Sequence, residues 1–296
     1  MTEAIARPLG VDVGRGLWSA ARERLLANRA AVLAALLLAA VLVAAFIGPW
    51  VSPHAMETVD WSLSPLASPP SFTNGHWFGT DANGRDLFVR VWAGTRISLL
   101  VALLASVVSL VIGVAWGATA GYLGGRVDEW MMRFVDVLYA LPYMFFVIVL
   151  TVVFGRSLWL IFVAIGAVGW LTMARIVRGQ ALALRKRGFV EAAMALGLPT
   201  HRIIARHIVP NLLGTVVVYA TLTVPQLILF ESFLSFLGLG VQEPLTSLGR
   251  LVAEGALGIE RAPWQLLFPC AVLATILLAL NFLGDGLRDA LDPRLS

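Results

Sequence analysis

The sequence predicts an all-α integral membrane protein with six transmembrane helices and both termini in the cytosol. Three observations carry that expectation. The 296 residues are 59% hydrophobic and 14% charged, with a mean hydropathy of +0.84, too apolar for a soluble domain of this length. Long stretches carry no ionised side chain, each of which would cost roughly 2.5 kcal/mol or more at the bilayer centre. Arg and Lys gather in alternate connecting segments, as helix orientation in membranes requires.

Charge-free stretches of at least 18 residues are 30–56, 61–80, 97–125, 137–155, 157–174, 207–230 and 262–284. The second contains Pro65, Pro69 and Pro70 among Ser and Asn, and a spanning segment cannot leave so much backbone unpaired. Six remain. The shortest, of 18 residues, extends about 27 Å as a helix, close to the thickness of the hydrocarbon core. With the N-terminus inside, the cytosolic segments hold sixteen Arg and Lys against six outside.

Residues 1–29, with Arg15, Arg22, Arg24 and Arg29, form a cytosolic lead-in. The apolar run from Ala30 to Ile47 exceeds the usual length of a secretory signal's core and lacks a clear cleavage site, so it is read as a retained helix. Residues 30–95 hold that first helix and an outer loop. Within the loop Asn83-Gly84 signals a turn, and Asp86 can cap a short interfacial helix with Leu87, Phe88, Val91 and Trp92 on its apolar side. Residues 96–296 then form the core, with five further helices.

The second span, Ile97 to about Tyr122, carries Ser98, Ser106, Ser109, Gly113, Gly117 and Gly121, small residues that let neighbouring helices approach closely. Gly124-Gly125 begins the next segment, where Arg133 and Asp136 sit one turn apart as a local ion pair, and Pro142 marks a kink. The fourth span runs from about Ser157 to Ala174 and the fifth from about Asn211 to Phe236. Glu231 lies near the outer end of the fifth, as a carboxylate contacting a neighbouring helix or as a lining position on a substrate path. The sixth runs from Trp264 to the turn Gly284-Asp285-Gly286, and the tail returns to the cytosol.

The cytosolic loop 175–211 separates the fourth and fifth spans. Phe189, Val190, Ala192, Ala193 and Leu196 fall at helical spacing, Gly197 and Pro199 interrupt, and Ile203, Ile204 and Ile208 resume before Pro210 ends the run. A solvated connector has no need of that apolar face. Ala192 and Ala193 together offer a flat surface on which another protein can sit.

Composition argues against several classes. A net charge of +4, with basic residues interleaved between apolar runs, builds no face for nucleic acid. Cys270 is alone, so no intrachain disulfide forms, and His54, His76, His201 and His207 are scattered over separate loops without metal-ligand spacing. Lys186 is the only lysine, and no Gly-Lys-Ser/Thr phosphate loop surrounds it. A transporter driven by an ion gradient, kept as a distant alternative, would place ionisable groups at mid-membrane, and an intramembrane enzyme would need a nucleophile and base or a metal pair there; the charge-free span centres and the scattered His and single Cys count against both.

Four stretches bear a resemblance. Glu191, Ala192, Ala193, Gly197 and the later His207 and Pro210, with Asn211, resemble the coupling motif of ABC importer permeases. Gly79, Thr80, Asp81, Gly84, Arg85 and Asp86 are similar to a signature of the smaller permease of oligopeptide, dipeptide and nickel importers. Ser232–Gly249 and Asn281–Leu295 resemble two further runs of that family, although Leu248 stands where the family has an aromatic residue. The resemblance implies a type I ABC importer permease fold in a bacterial cell (inner) membrane. Its implied partners are a second homologous permease, two ABC ATPases docking on 188–210, a periplasmic or extracellular substrate-binding protein, and membrane lipid. ATP and magnesium would be held by the ATPases and no cofactor by this chain, which would then not itself be an enzyme. Peptides are the implied substrate; relatives handle nickel chelates, glutathione or antimicrobial peptides.

Overall fold

The computed structural model describes residues 17–61, 67–155 and 157–291. Arg15, Pro65, Arg156 and the end of the C-terminal signature, residues 292–296, lie outside them.

The described residues form an all-helical bundle. Its elements are α1 (Leu17–Ala27), α2 (Arg29–Val51), α3 (Leu87–Leu123), α4 (Gly125–Ala140), α5 (Tyr143–Phe154) and α6 (Leu158–Arg185). After these come α7 (Gly188–Ala195), α8 (Thr200–Ile203), a π turn (Ile204–Ile208), α9 (Val209–Phe236), α10 (Leu248–Leu257) and α11 (Trp264–Leu291). Among the described residues, five helices are long and apolar enough to cross a membrane: α2, α3, α6, the run Thr200–Phe236 and α11. A sixth crossing forms if α4 and α5, bent by 82° at their junction, are taken together. Leu141 there is extended ahead of Pro142, as the proline ring demands. Exposed Leu33, Phe46, Val107, Val111, Phe145 and Val152 give the bundle the apolar exterior that lipid requires.

α3 is the spine. Its small residues meet α6 at very short range: a Cβ on Gly117 would lie 2.4 Å from the Ala174 carbonyl oxygen. The Ser109 hydroxyl donates to the Gly166 carbonyl across the same seam. Side chains of this size let two backbones touch, which is what drives helix pairing in lipid.

The helices run further than charge-free stretches indicate. Leu87, Phe88, Val91 and Trp92 are not a separate interfacial helix but the first turns of α3, which continues without a break because Asp86 caps it and no helix breaker follows. Phe88 instead packs edge-on against Trp77, Phe78 and Trp92. α6 passes Ala174 and ends at Arg185, since Arg175 and Arg178 find carboxylate partners on α4. α11 runs through Gly284-Asp285-Gly286 to Leu291. A Cβ on Gly286 would come within 2.4 Å of the Ala31 Cβ, so the glycine serves close helix contact and not a turn. Two helices lie where the sequence reading placed connectors: α1, joined to α2 at Asn28, and α10, capped by the Ser247 hydroxyl.

Candidate functional site

α7 sits at one end of the bundle, beside the C-terminal end of α3, to which Arg185 is tied through the Leu123 carbonyl at 2.9 Å. Val190 and Ala193 are buried in a cluster with Ala118 and Tyr122 of α3, Met173, Val177 and Ala181 of α6, and Ile203, Ile208 and Leu212. Glu191, Ala192 and Leu196 point outward, the last 79% exposed, beside Phe189. The expected flat pair therefore divides: Ala192 faces out, whereas Ala193 anchors the helix to its own chain. Residues one apart on a helix lie about 100° apart, so they cannot share a face here.

Gly197 ends α7. Its N–H donates to the Met194 carbonyl at 2.9 Å, and that of Leu198 to Ala193 at 3.2 Å, the paired bonds that close a helix through a left-handed residue. Gly197 has φ +72, and a Cβ there would meet nothing within 4 Å, so its constraint is conformational and not steric contact. Gly197→Val is expected to weaken this cap by about 1–2 kcal/mol, while Gly197→Asn, which tolerates the left-handed region, costs less. Limited proteolysis around residues 196–199 measures this; equal cleavage of the two variants would contradict it.

Pro210 does not end the helix that starts at Thr200. It lacks an N–H, and its ring would press on the carbonyl four residues back. The chain widens into the π turn just before it, where the Val209 N–H reaches back to the Ile204 carbonyl. The Asn211 amide donates to the His207 carbonyl at 2.7 Å, and the helix runs on to Phe236. The segment after α7 is thereby continuous with a long spanning helix, Thr200–Phe236. α4 is fixed to α6 beside this end by a two-bond pair, Arg178 to Asp128 at 2.5 and 2.6 Å, and by Arg175 to Asp136 at 2.7 Å. Asp136 thus pairs across helices and not with Arg133, its neighbour one turn away.

At the other end of α3, roughly 54 Å away by helical rise, the stretch Gly79–Asp86 folds into a clasp. Asp81 accepts the backbone N–H groups of Asn83 and Arg85 at 2.8 Å each, closing the turn at Gly84, and its second oxygen takes Arg85 Nε at 2.7 Å and Arg90 Nη1 at 2.5 Å. Asp86 caps α3 through the Val89 N–H and lies 2.9 Å from His76 Nδ1. Gly79 lets the chain pass Trp264, and the Thr80 carbonyl accepts from Trp264 Nε1 and Gln265 Nε2 on α11. Arg90, 2% exposed, also reaches Glu254 on α10 at 2.9 Å. Arg85 and Arg250 share Glu243. Six charged groups from two helices and two loops are thus locked together.

Burial disfavours the Arg85 charge, but its bonds to Asp81 and Glu243 outweigh that and hold the guanidinium above its usual value. The Arg85 bond conversely holds the Glu243 carboxyl below its ordinary 4.5, against partial desolvation. A carboxylate lowered on folding stabilises above its unfolded value, and the contribution vanishes as pH falls through the lower folded one. The stability of the wild type is therefore expected to drop more steeply below about pH 4.5 than that of Glu243→Gln; parallel melting curves across that range would refute it.

Glu231 is fully buried. It accepts the Ser98 hydroxyl of α3 at 2.8 Å and that of Ser235 at 2.7 Å, while Ser98 also accepts the N–H of Leu248 at the start of α10. It contacts neighbouring helices, and in this arrangement it faces no open path. Sequence reasoning missed Arg90, Glu254 and Arg178, which hold the two ends together. A signal for Arg90 was present: a charge three residues inside the apolar run that begins at Leu87.

Helical spans of this number, with an apolar exterior, define a multi-pass membrane protein. The solved structure "Inward facing conformations of the MetNI methionine ABC transporter" shares that fold, with a TM-score of 0.55 at 19% identity over 69% of this chain and 96% of that one. The family model of the binding-protein-dependent transport system inner membrane component matches residues 113–296, and that of the N-terminal TM domain of oligopeptide transport permease C matches 16–70. The chain is 53% identical over 281 residues to the oligopeptide transport system permease protein OppC of Escherichia coli K12, covering 95% of this chain and 92% of that protein. OppC of Haemophilus influenzae is 51% identical, covering 95% and 90%, and the dipeptide transport system permease protein DppC of Bacillus subtilis is 47% identical, covering 92% and 84%. The chain belongs to the family of inner-membrane permease components of binding-protein-dependent transport systems, on its C-type branch.

Proposed function

We propose that this chain is one half of the pore of an ATP-driven peptide importer in a bacterial inner membrane. Residues 188–210 receive an ATPase carried on another subunit. The single observation that carries the reading is the construction of α7. Its inner face, Val190 and Ala193, is fixed to α3, α6 and the root of α9, and its outer face, Phe189, Ala192 and Leu196, is left open. A helix held so firmly passes displacement on to the spans; one so open can be gripped. The relatives named for oligopeptide and dipeptide transport support peptides as cargo. The concentration of Arg and Lys in 175–211 supports a cytosolic position for α7, and with it both termini inside.

The remaining partners are a second permease, a substrate-binding protein arriving from outside and a second ATPase; ATP and magnesium belong to the ATPases. The clasp is the rigid outer end against which the binding protein releases its cargo. The test is reconstitution of the complex in liposomes with labelled di- to pentapeptides. ATP-dependent peptide uptake is expected. Uptake of a nickel chelate or glutathione with none of peptide would overturn the assignment of cargo, and uptake driven by an ion gradient without ATP would overturn the mechanism.

A further inference from the structure

We propose that one face of α9 lines the substrate path and that Gln226, with Thr172 of α6 opposite, is a station for the peptide backbone. The inference rests on the importer reading above. Asn211, Thr215, Tyr219, Thr223 and Gln226 follow one another at intervals of four, four, four and three residues, which places all five on one side of the helix. They extend about 22 Å along a spanning helix. Asn211, Tyr219 and Gln226 are exposed, and Thr215 and Thr223 are half-buried.

A polar stripe this long does not suit a surface turned to lipid, where an unpartnered amide has no water to bond. Thr223 satisfies its hydroxyl on the Ala220 carbonyl of its own helix, and Asn211 satisfies its amide on His207. Gln226 has no such neighbour: among the described residues its amide has no hydrogen-bond partner. It borders a cavity of about 230 Å³ enclosed by α9, α6 and the α4–α5 junction, with Thr172, Thr223 and Gln226 as its side-chain polar groups beside the Tyr139 hydroxyl. Leu138, Leu141, Val168 and Phe230 make the rest of the wall apolar.

That chemistry suits a passing peptide. A side-chain amide donates one hydrogen bond and accepts another, which is what a peptide group offers in return, and it does so without regard to the side chains being carried. The apolar wall takes side chains of any kind, and among the described residues no ionised group lines this cavity to trap a terminus, the Arg175 guanidinium lying over the Tyr139 ring and paired with Asp136. A fixed charge would hold some peptides too tightly to release; an amide does not.

The experiment uses the whole complex in liposomes, with Gln226→Cys introduced into a Cys270→Ser background and probed with a membrane-impermeant charged methanethiosulfonate. Leu278→Cys on the outer face of α11, 58% exposed, is the lipid-facing control. Thiolates form in water and not in hydrocarbon, so Gln226→Cys is expected to react at least about tenfold faster than the control in one nucleotide state. A tripeptide delivered by the binding protein should slow that reaction. Gln226→Leu should lower the peptide transport rate about five- to tenfold. Labelling no faster than the control in every nucleotide state would overturn the path assignment. Labelling indifferent to peptide, together with full transport by Gln226→Leu, would overturn the backbone station. A wild-type complex that carries no peptide, while Gln226→Cys still labels, would instead break the importer reading and leave the path standing.

Discussion

Ala192→Arg is expected to release the ATPase without unfolding the permease. Ala192 is exposed on α7 while its neighbours Val190 and Ala193 bury the helix, so the new side chain meets only what docks there. A bulky cation at the centre of a close contact costs about 2–4 kcal/mol, which weakens binding at least tenfold. Co-purification of the ATPase with the tagged permease should fall accordingly, and peptide uptake with it. Thermal stability of the permease pair should hold within about 0.5 kcal/mol, as for a surface substitution. Ala193→Arg gives the opposite result. Its site is 4% exposed against α3 and α6, and it should destabilise the chain itself. If the two variants behave alike, α7 is not organised as described.

The second large effect is expected at the other end. Arg90→Met leaves Asp81 and Glu254 without the guanidinium that lies between them. Breaking a buried ion pair from one side costs about 3–5 kcal/mol, and the low end applies here because Arg85 still reaches Asp81, and Arg250 still reaches Glu254, which is one-third exposed. The melting temperature of the purified complex should fall, and Arg90→Lys should recover part of the loss. A variant as stable as the wild type would show that the clasp is held by its backbone turn alone.

Much of this was legible before any coordinates. The spans could be located because the bilayer excludes charge, and the small residues of α3 announced a close seam that the structure places against α6. Their ends could not. A charge-free window reports where hydrocarbon stops, whereas a helix continues as long as its backbone bonds do, and Arg175 and Arg178 are carried onward by carboxylates on α4. Those carboxylates lie at least 39 residues away in sequence, and no local pattern pairs them. The clasp was readable as a turn and a cap, but its joining of α3 to α10 and α11 rests on Glu254 and Gln265, invisible until the fold brings them near. α10 had left a trace: Ser247 ahead of Leu248, Leu251 and Val252 is a cap before an amphipathic turn. Ala193 was misread because a pair of alanines looks like one surface in sequence, when a helix turns the second away from the first.

The central claim is that ATP acts on this chain through the outer face of α7. Its most direct test is a short, reducible cross-link from Ala192→Cys, in a Cys270→Ser background, within the complete importer. The account predicts an adduct with the ATPase subunit and arrested peptide uptake, restored when the link is reduced. Full transport with no ATPase adduct, or an adduct only with the substrate-binding protein, would contradict it.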